Sequence, residues 1–331
     1  VQTCALPILA TEAGPATRSQ ATYLMTQDDE APTTFGIDEM QECVAPVIGS
    51  TESRSGVSAK AAEETGLVAG TPVFGGFFDV VSAAVCAGLA DERFINVVMG
   101  TWTIETWIAD HIPAAEHPYT WGRYCIPGKY FVHEGSPTSA SNLEWFVRNF
   151  MAGVAKPYQR CDEMVAALKK GETGVQFLPY LFSSNLGDNL SSGFYGLANA
   201  HGLPHLVQAV YEGICFSQHS HLERILALSG RDRLLRLTGG PARSNVWMQM
   251  VADISEMPVE VMHVKESGCL GASIAAAVGS GVYGSFLEAM AAMCPSGSRL
   301  DPDLSAAPRY REKYAYFREL ADKLNTLAPA A

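Results

Sequence analysis

Several large functional classes are excluded by what this chain lacks. There is no basic surplus: Lys and Arg number 23 against 35 Asp and Glu, a formal net charge of −12. A protein that binds nucleic-acid backbones needs the opposite balance, although a divalent cation and backbone amides can still hold a phosphate ligand. No charge-free apolar run approaches the ~20 residues of a membrane-spanning helix. The nearest, over 268–283, is rich in Gly, Ala and Ser. The 8 cysteines form neither a CxxC pair nor a regular framework, which argues against a zinc ribbon or a disulfide scaffold and fits reduced thiols in a cytoplasmic enzyme. His201 and His205 are separated by Gly202 and Pro204, with no accompanying glutamate, so a zincin-type metal helix is excluded. Neither a GxxxxGK[ST] phosphate loop nor a repeat of solenoid period is present.

What remains is a globular chain of 331 residues, 47% hydrophobic and 18% charged, long enough for about two domains at roughly 150 residues each. Helix and strand signals alternate, which indicates an α/β protein. Asp38 is placed to cap a short helix through Cys43, and Ser58 another, closed by Gly66. Pro72–Gly75 reads as a buried strand leading to an apolar helix from Asp79 to near Gly88. Phe94–Met99 and Thr103–Ile108 read as a hairpin around Gly100-Thr101. Further on, Leu143, Phe146, Val147 and Phe150 make a helical stripe, and Gln176–Phe182 is extended. Pro204 opens a long helix with Leu206, Val210, Ile214, Ser217 and His221 along one side. Arg233–Thr238 and Pro258–Val264 read as strands flanking a helix near Ser244–Ser255. A small-residue helix covers Leu270–Val278, and Tyr310, Tyr314, Phe317, Ala321 and Leu324 mark a C-terminal helix.

Three places carry candidate chemistry. In Gly75-Gly76-Phe77-Phe78-Asp79 a flexible turn delivers a carboxylate to a helix start. It can serve as an N-cap, or it can accept a proton from a substrate hydroxyl during phosphoryl transfer. Gly100-Thr101 offers a hydroxyl and turn amides to a terminal phosphate, or is plain turn chemistry. Gly239-Gly240, followed by Ser244-Asn245, gives a backbone without Cβ atoms on which a flat base can lie. It equally suits a tight strand-to-helix turn. The Glu266–Ser273 segment has a small face explained by close packing alone. Trp102, Trp107, Trp145 and Trp247 are available either to stack on a ligand ring or to pack the core.

In combination these segments resemble the FGGY carbohydrate kinases, from about Phe35 to Tyr316. The resemblance rests on GTPVFGGFFDVVSAAVCAG, NVVMGTW, HEGSPTSASNLEWF, Tyr211-Glu212-Gly213, SSGFYG, LTGGPARSNVWMQMVAD and the run from Glu266 to Gly281. The wording is similar to the L-xylulose kinase branch in particular. It implies an actin-like ATPase fold of the ribonuclease H type, with two domains of which the first is incomplete here. The implied division is a non-native leader over 1–8, the remainder of a sugar-binding domain over 9–93, an ATP-binding domain over 94–300, and a C-terminal helix and tail over 301–331. It also implies ATP and Mg²⁺ as cofactors, a ketose substrate (L-xylulose or a related keto sugar such as 3-keto-L-gulonate), and a homodimer as the family's frequent oligomer. The metal ligands stay unassigned. Within the family, D-xylulose, rhamnulose and glycerol are rival substrates. Outside it, the rival is a catalytically dead sugar- or nucleotide-binding module.

Carried over position by position, Asp79 matches the family's catalytic base and touches the sugar. Gly100 and Thr101 match a hairpin that touches nucleotide phosphates. Ala140 stands where relatives have a nucleotide-contacting Gly, and Glu144 stands at a Gln. Gly239, Gly240 and Ser244 match adenine-side positions. Asn often replaces Ser244, and here Asn245 is its neighbour. The acidic-Gly-Thr-Thr hairpin with which the family opens has no counterpart in these 331 residues, and Val1–Ile8 resembles translated sequencing adapter. The polypeptide as it stands is therefore expected to be inactive.

Overall fold

The computed structural model describes residues 48–112, 119–184, 187 and 190–327. Val1–Ile8 and the Asp38–Cys43 helix expected from sequence lie outside them. In chain order the elements begin with β1 (Ser53–Gly56), α1 (Ala59–Thr65), β2 (Pro72–Phe74), α2 (Asp79–Cys86), β3 (Phe94–Met99) and β4 (Thr103–Ala109). Next come β5 (Thr120–Arg123), β6 (Tyr130–Ser136), α3 (Ser141–Phe150), α4 (Pro157–Ala166), β7 (Gln176–Leu178), β8 (Gly193–Tyr195) and α5 (Leu203–Ser229). The chain continues with β9 (Leu234–Gly239), a 3-10 turn (Gly240–Arg243), α6 (Asn245–Ser255), β10 (Val259–Met262), α7 (Ser267–Gly279), α8 (Phe286–Met293), β11 (Gly297–Leu300) and α9 (Ala307–Thr326). Among the described residues no helix is long and apolar enough to cross a membrane, and Cys86, Cys125, Cys161, Cys215, Cys269 and Cys294 are free thiols.

These elements sort into two compact units, neither of them a single stretch of chain. The first takes, among the described residues, 48–91, 108–112, 119–132 and 266–295. Its local signals are obeyed. The Ser58 hydroxyl accepts from Ala61 N–H at 3.1 Å, and Gly66 ends α1 in the left-handed conformation at φ +75°. Gly, Ala and Ser let α2 and α7 approach backbone to backbone: a Cβ on Gly271 would stand 2.1 Å from the Ser82 carbonyl oxygen. The small face read from Glu266 to Ser273 is thus a helix-packing surface. Val81, Ala83, Ala84, Val85 and Cys86 are all buried beneath it.

The second unit takes 92–107, 133–265 and 296–331, the described part of it ending at 327. Its strands lie in the order β11-β10-β9-β3-β4-β6. The central pair is parallel, with Phe94 opposite Leu234 and Met99 opposite Gly239, and β9 pairs parallel with β10. Ile95, Val97 and Met99 alternate along β3, with Leu235 and Leu237 beside them in register on β9, and all five are fully buried, so they form one apolar face of the sheet. The hairpin reading holds: β3 and β4 are antiparallel, Met99 facing Thr103.

Helix α5 departs from the one-sided stripe expected of it. Burial is continuous from Val207 to Leu222, so it is a core helix enclosed on every side. Gly213 lets it close on β7, since a Cβ there would meet the Phe177 carbonyl oxygen at 2.2 Å. The C-terminal helix α9 keeps the expected pattern, with Tyr310, Phe317 and Ala321 buried. A fully buried side chain of the size of Phe317 contributes roughly 1.5–3 kcal/mol.

Candidate functional site

Asp79 lies in the first unit. The sequence allowed it to be an N-cap, but the cap position belongs to Phe78, and Asp79 is the first helical residue of α2. The cause is the turn before it. Gly76 takes φ +69°, and Gly75 packs so close to the Gly49 carbonyl that a Cβ would lie 2.6 Å from its oxygen. The turn therefore delivers Phe78 in extended conformation, one residue early. The Asp79 side chain folds back so that Oδ1 accepts from the N–H of Val80 at 2.8 Å. It is solvent-exposed, and it adds negative charge where the helix dipole favours it.

The remaining sequence-predicted residues gather in the second unit, at the C-terminal ends of β3 and β9. Parallel strands present ligand sites at that end. Three chain segments meet there. The Gly100 carbonyl accepts from Ala140 N–H at 3.1 Å, and the Ser141 hydroxyl donates to the Thr101 carbonyl at 3.3 Å. The hairpin tip thus sits on the first turn of α3. On its other side Gly239, at φ +106°, lies flat on the end of β3, where a Cβ would stand 2.1 Å from the Met99 carbonyl oxygen. Thr101 is exposed, and nothing lies within 4 Å of where a Cβ on Gly240 would point. The cradle is therefore open above Gly240 and closed beneath Gly239. Of the tryptophans, Trp107 and Trp247 are core residues, whereas Trp102 is 53% exposed at the hairpin tip.

Beyond the 3-10 turn, Ser244 caps α6: its hydroxyl accepts from Trp247 N–H at 3.1 Å and donates to Asp162 Oδ1 at 2.6 Å. That same carboxylate oxygen accepts from the Tyr211 hydroxyl at 2.8 Å, and the Tyr211 ring stacks on Trp247 with centroids 4.5 Å apart. Burial, assisted by the Asp162 charge, pushes the Tyr211 phenol far above its ordinary range, so it remains a donor. Sequence reasoning missed Asp162. It is 82 residues from Ser244 on a helix with no motif of its own, so no local signal could have found it.

The Tyr211-Glu212-Gly213 motif has a structural explanation throughout. Gly213 permits the close approach to β7, and Glu212 forms a fully buried ion pair with Lys313, whose Nζ also donates to the Thr173 carbonyl at 2.7 Å. Burial pushes the Glu212 carboxyl up to about 7 against the opposing pull of Lys313. Burial pushes the Glu105 carboxyl well above the usual carboxylate range, and Gln218 Nε2 donates to it at 3.3 Å. These pairs anchor α5 to the elements around it.

The arrangement has close counterparts. A xylulose kinase structure from Lactobacillus acidophilus, described as ligand bound, superposes with a TM-score of 0.81 over 95% of this chain and 64% of that one, at 19% identity. The fold is thus that of the actin-like sugar kinases. Residues 95–280, more than half the chain, match the C-terminal domain of the FGGY family of carbohydrate kinases, and the chain belongs to that family. It is 45% identical to the L-xylulose/3-keto-L-gulonate kinase of Escherichia coli K12 over 287 residues, which is 86% of this chain and 57% of that protein. It is 40% identical to a probable L-xylulose kinase of Haemophilus influenzae over 88% of this chain and 59% of that protein. The chain therefore spans somewhat over half the length of the curated relatives it matches.

Proposed function

We propose that this chain supplies the adenine-nucleotide cradle and the catalytic base of a cytoplasmic kinase that transfers the γ-phosphate of ATP to a ketose, L-xylulose or a related keto sugar such as 3-keto-L-gulonate. In this reading the Asp79 carboxylate takes the proton of the sugar hydroxyl as its oxygen bonds to the γ-phosphorus, and the bond from that phosphorus to the β-phosphate oxygen breaks to release ADP. The amides and hydroxyl of Gly100 and Thr101, with Ala140 behind them, face the phosphates. The bare backbone of Gly239 and Gly240 takes the base, beside Ser244 and Asn245.

The observation that carries the reading is the meeting of Gly100, Ala140 and Gly239 at the ends of two parallel strands, although they are scattered along the sequence. The exposure of Asp79 supports its role, because a base must reach its substrate. Magnesium would enter with the triphosphate and neutralise charge on it. Among the described residues no group of three or more His, Cys, Asp and Glu is placed to hold a metal, so no protein ligand is assigned to it. The two curated relatives' names favour L-xylulose or 3-keto-L-gulonate over D-xylulose.

The test has two parts. Calorimetry should show ADP binding to the 331-residue chain, and absence of binding would refute the cradle. A panel of ketoses, read by coupled ADP release, should show background turnover for this polypeptide alone, which lacks the acidic-Gly-Thr-Thr hairpin. Joined to the amino-terminal part of the Escherichia coli relative, it should show turnover with L-xylulose or 3-keto-L-gulonate. Preference for D-xylulose would overturn the substrate assignment.

A further inference from the structure

The turn from Gly239 to Asn245 is fixed at both ends, by different means. At its start, Gly239 lies so close to the Met99 carbonyl that no Cβ fits between them. At its end, the Ser244 hydroxyl is held by a carboxylate on α4, Asp162, in a distant part of the sequence. Ser58 and Ser285 also cap helices, accepting from Ala61 N–H at 3.1 Å and Glu288 N–H at 3.2 Å. Among the described serine caps, Ser244 alone has its hydroxyl proton claimed as well, by Asp162 at 2.6 Å. A serine hydroxyl carries one proton and rotates freely. Once that proton points at Asp162, the lone pairs must face Trp247 N–H, and the Ser244 backbone is held in one orientation.

We infer that Asp162 is a positioning residue for nucleotide binding, setting through the Ser244 hydroxyl the direction in which the Gly239–Asn245 turn presents its backbone to an adenine nucleotide. This rests on the nucleotide reading of that turn. Tyr211 belongs to the same device: it donates to the same carboxylate oxygen at 2.8 Å and stacks on Trp247, the residue whose amide Ser244 caps. Asp162, Ser244, Trp247 and Tyr211 thus close a ring of contacts around the start of α6. For helix stability alone, a serine cap without a carboxylate would suffice, as at Ser58. The added anchor is explained by a need to fix the turn's direction.

The experiment is ADP titration by calorimetry on the 331-residue chain, comparing wild type, Asp162→Asn and Asp162→Ala. Asn keeps an oxygen able to accept from both hydroxyls but loses the charge, whereas Ala loses both. The expected order is graded, with ADP weakened about threefold in Asp162→Asn and about tenfold in Asp162→Ala, as loss of a charge-assisted hydrogen bond predicts. A residue that only stabilises the fold would lower the melting temperature without this graded loss of affinity. Wild-type ADP affinity in either variant overturns the inference and leaves the nucleotide reading standing, as does equal weakening in both. Failure of the wild type to bind ADP removes both together. Should Asp162→Ala not fold, the comparison of wild type with Asp162→Asn decides alone.

Discussion

The helix carrying Asp79 and the turn carrying Gly239 are each held by a glycine pressed against a carbonyl oxygen. In each case an added Cβ would stand 2.1 Å from that oxygen. The two contacts nevertheless ask different things of glycine. Gly271, in the first unit, sits inside α7, and the contact needs only its lack of volume so that α2 can come close. Gly239, in the second, needs the missing volume and also the left-handed backbone region at φ +106°. One contact sets the distance between helices, a quantity that can relax. The other sets the direction of a turn, which cannot relax without β9 leaving the end of β3. On the proposed reading, the base would be carried on an adjustable packing contact and the nucleotide cradle on a conformational one.

The largest effect that would sharpen this contrast concerns Asp79, the proposed base. Asp79→Asn, in the chain joined to the Escherichia coli relative's amino-terminal part, should lower turnover about 10²–10⁴-fold while ADP affinity stays unchanged. Unchanged turnover would reduce Asp79 to its local bond with Val80. Next, Gly239→Ala should destabilise the chain by about 4 kcal/mol and abolish ADP binding, as it combines backbone strain with a clash. Gly271→Ala should cost about 2 kcal/mol and leave ADP binding intact, since α7 can shift. Urea unfolding with parallel ADP titration reads both, and equal outcomes would break the comparison.

A third test concerns the polar interior of the second unit. His133 is buried, its Nδ1 2.8 Å from Thr106 Oγ1, and burial pushes its imidazole down to about 3. The unfolded chain takes up a proton there below about 6.5, and the folded one does not until far lower pH. The stability this provides is fully present above pH 6.5 and is lost as pH falls from 6.5 toward 3. Relative to wild type, His133→Gln should flatten the pH dependence of unfolding in that window by up to about 1.4 kcal/mol per pH unit. An unchanged slope would show that His133 is protonated in the folded state. The smallest effect is Ser244→Ala, which should cost about 1 kcal/mol through loss of the cap.

Much of this was legible in the sequence because the signals are local. The Ser58 cap and Gly66 stop, the β3–β4 hairpin, the Gly239-Gly240 turn and the apolar face of α9 each depend on neighbours within a few residues, and each formed where expected. Asp79 shows where local reading slips. Its residue type announced a helix start, but the glycine turn, closing on Gly49, moved the cap to Phe78. Helix α5 shows another limit, as periodicity cannot tell a one-sided helix from one enclosed by later elements. Glu105, Lys313 and Asp162 were invisible for a related reason. Each is a charged residue type whose burial or role is set by a partner more than 80 positions away.

The pairing of Met99 with Gly239 also constrains the order of events during synthesis. The side-chain amide of Asn96, on β3, donates to the Arg236 carbonyl 140 positions downstream. As the ribosome extrudes β3 and its hairpin, their parallel partner does not yet exist, and an apolar strand edge waits through α3, α4 and the whole of α5. That wait is a window for misassociation in which a holding chaperone would act. On the proposed reading of the turn at the ends of β3 and β9, nucleotide would engage only after β9 has docked, and ADP capture by a nascent chain would mark that docking.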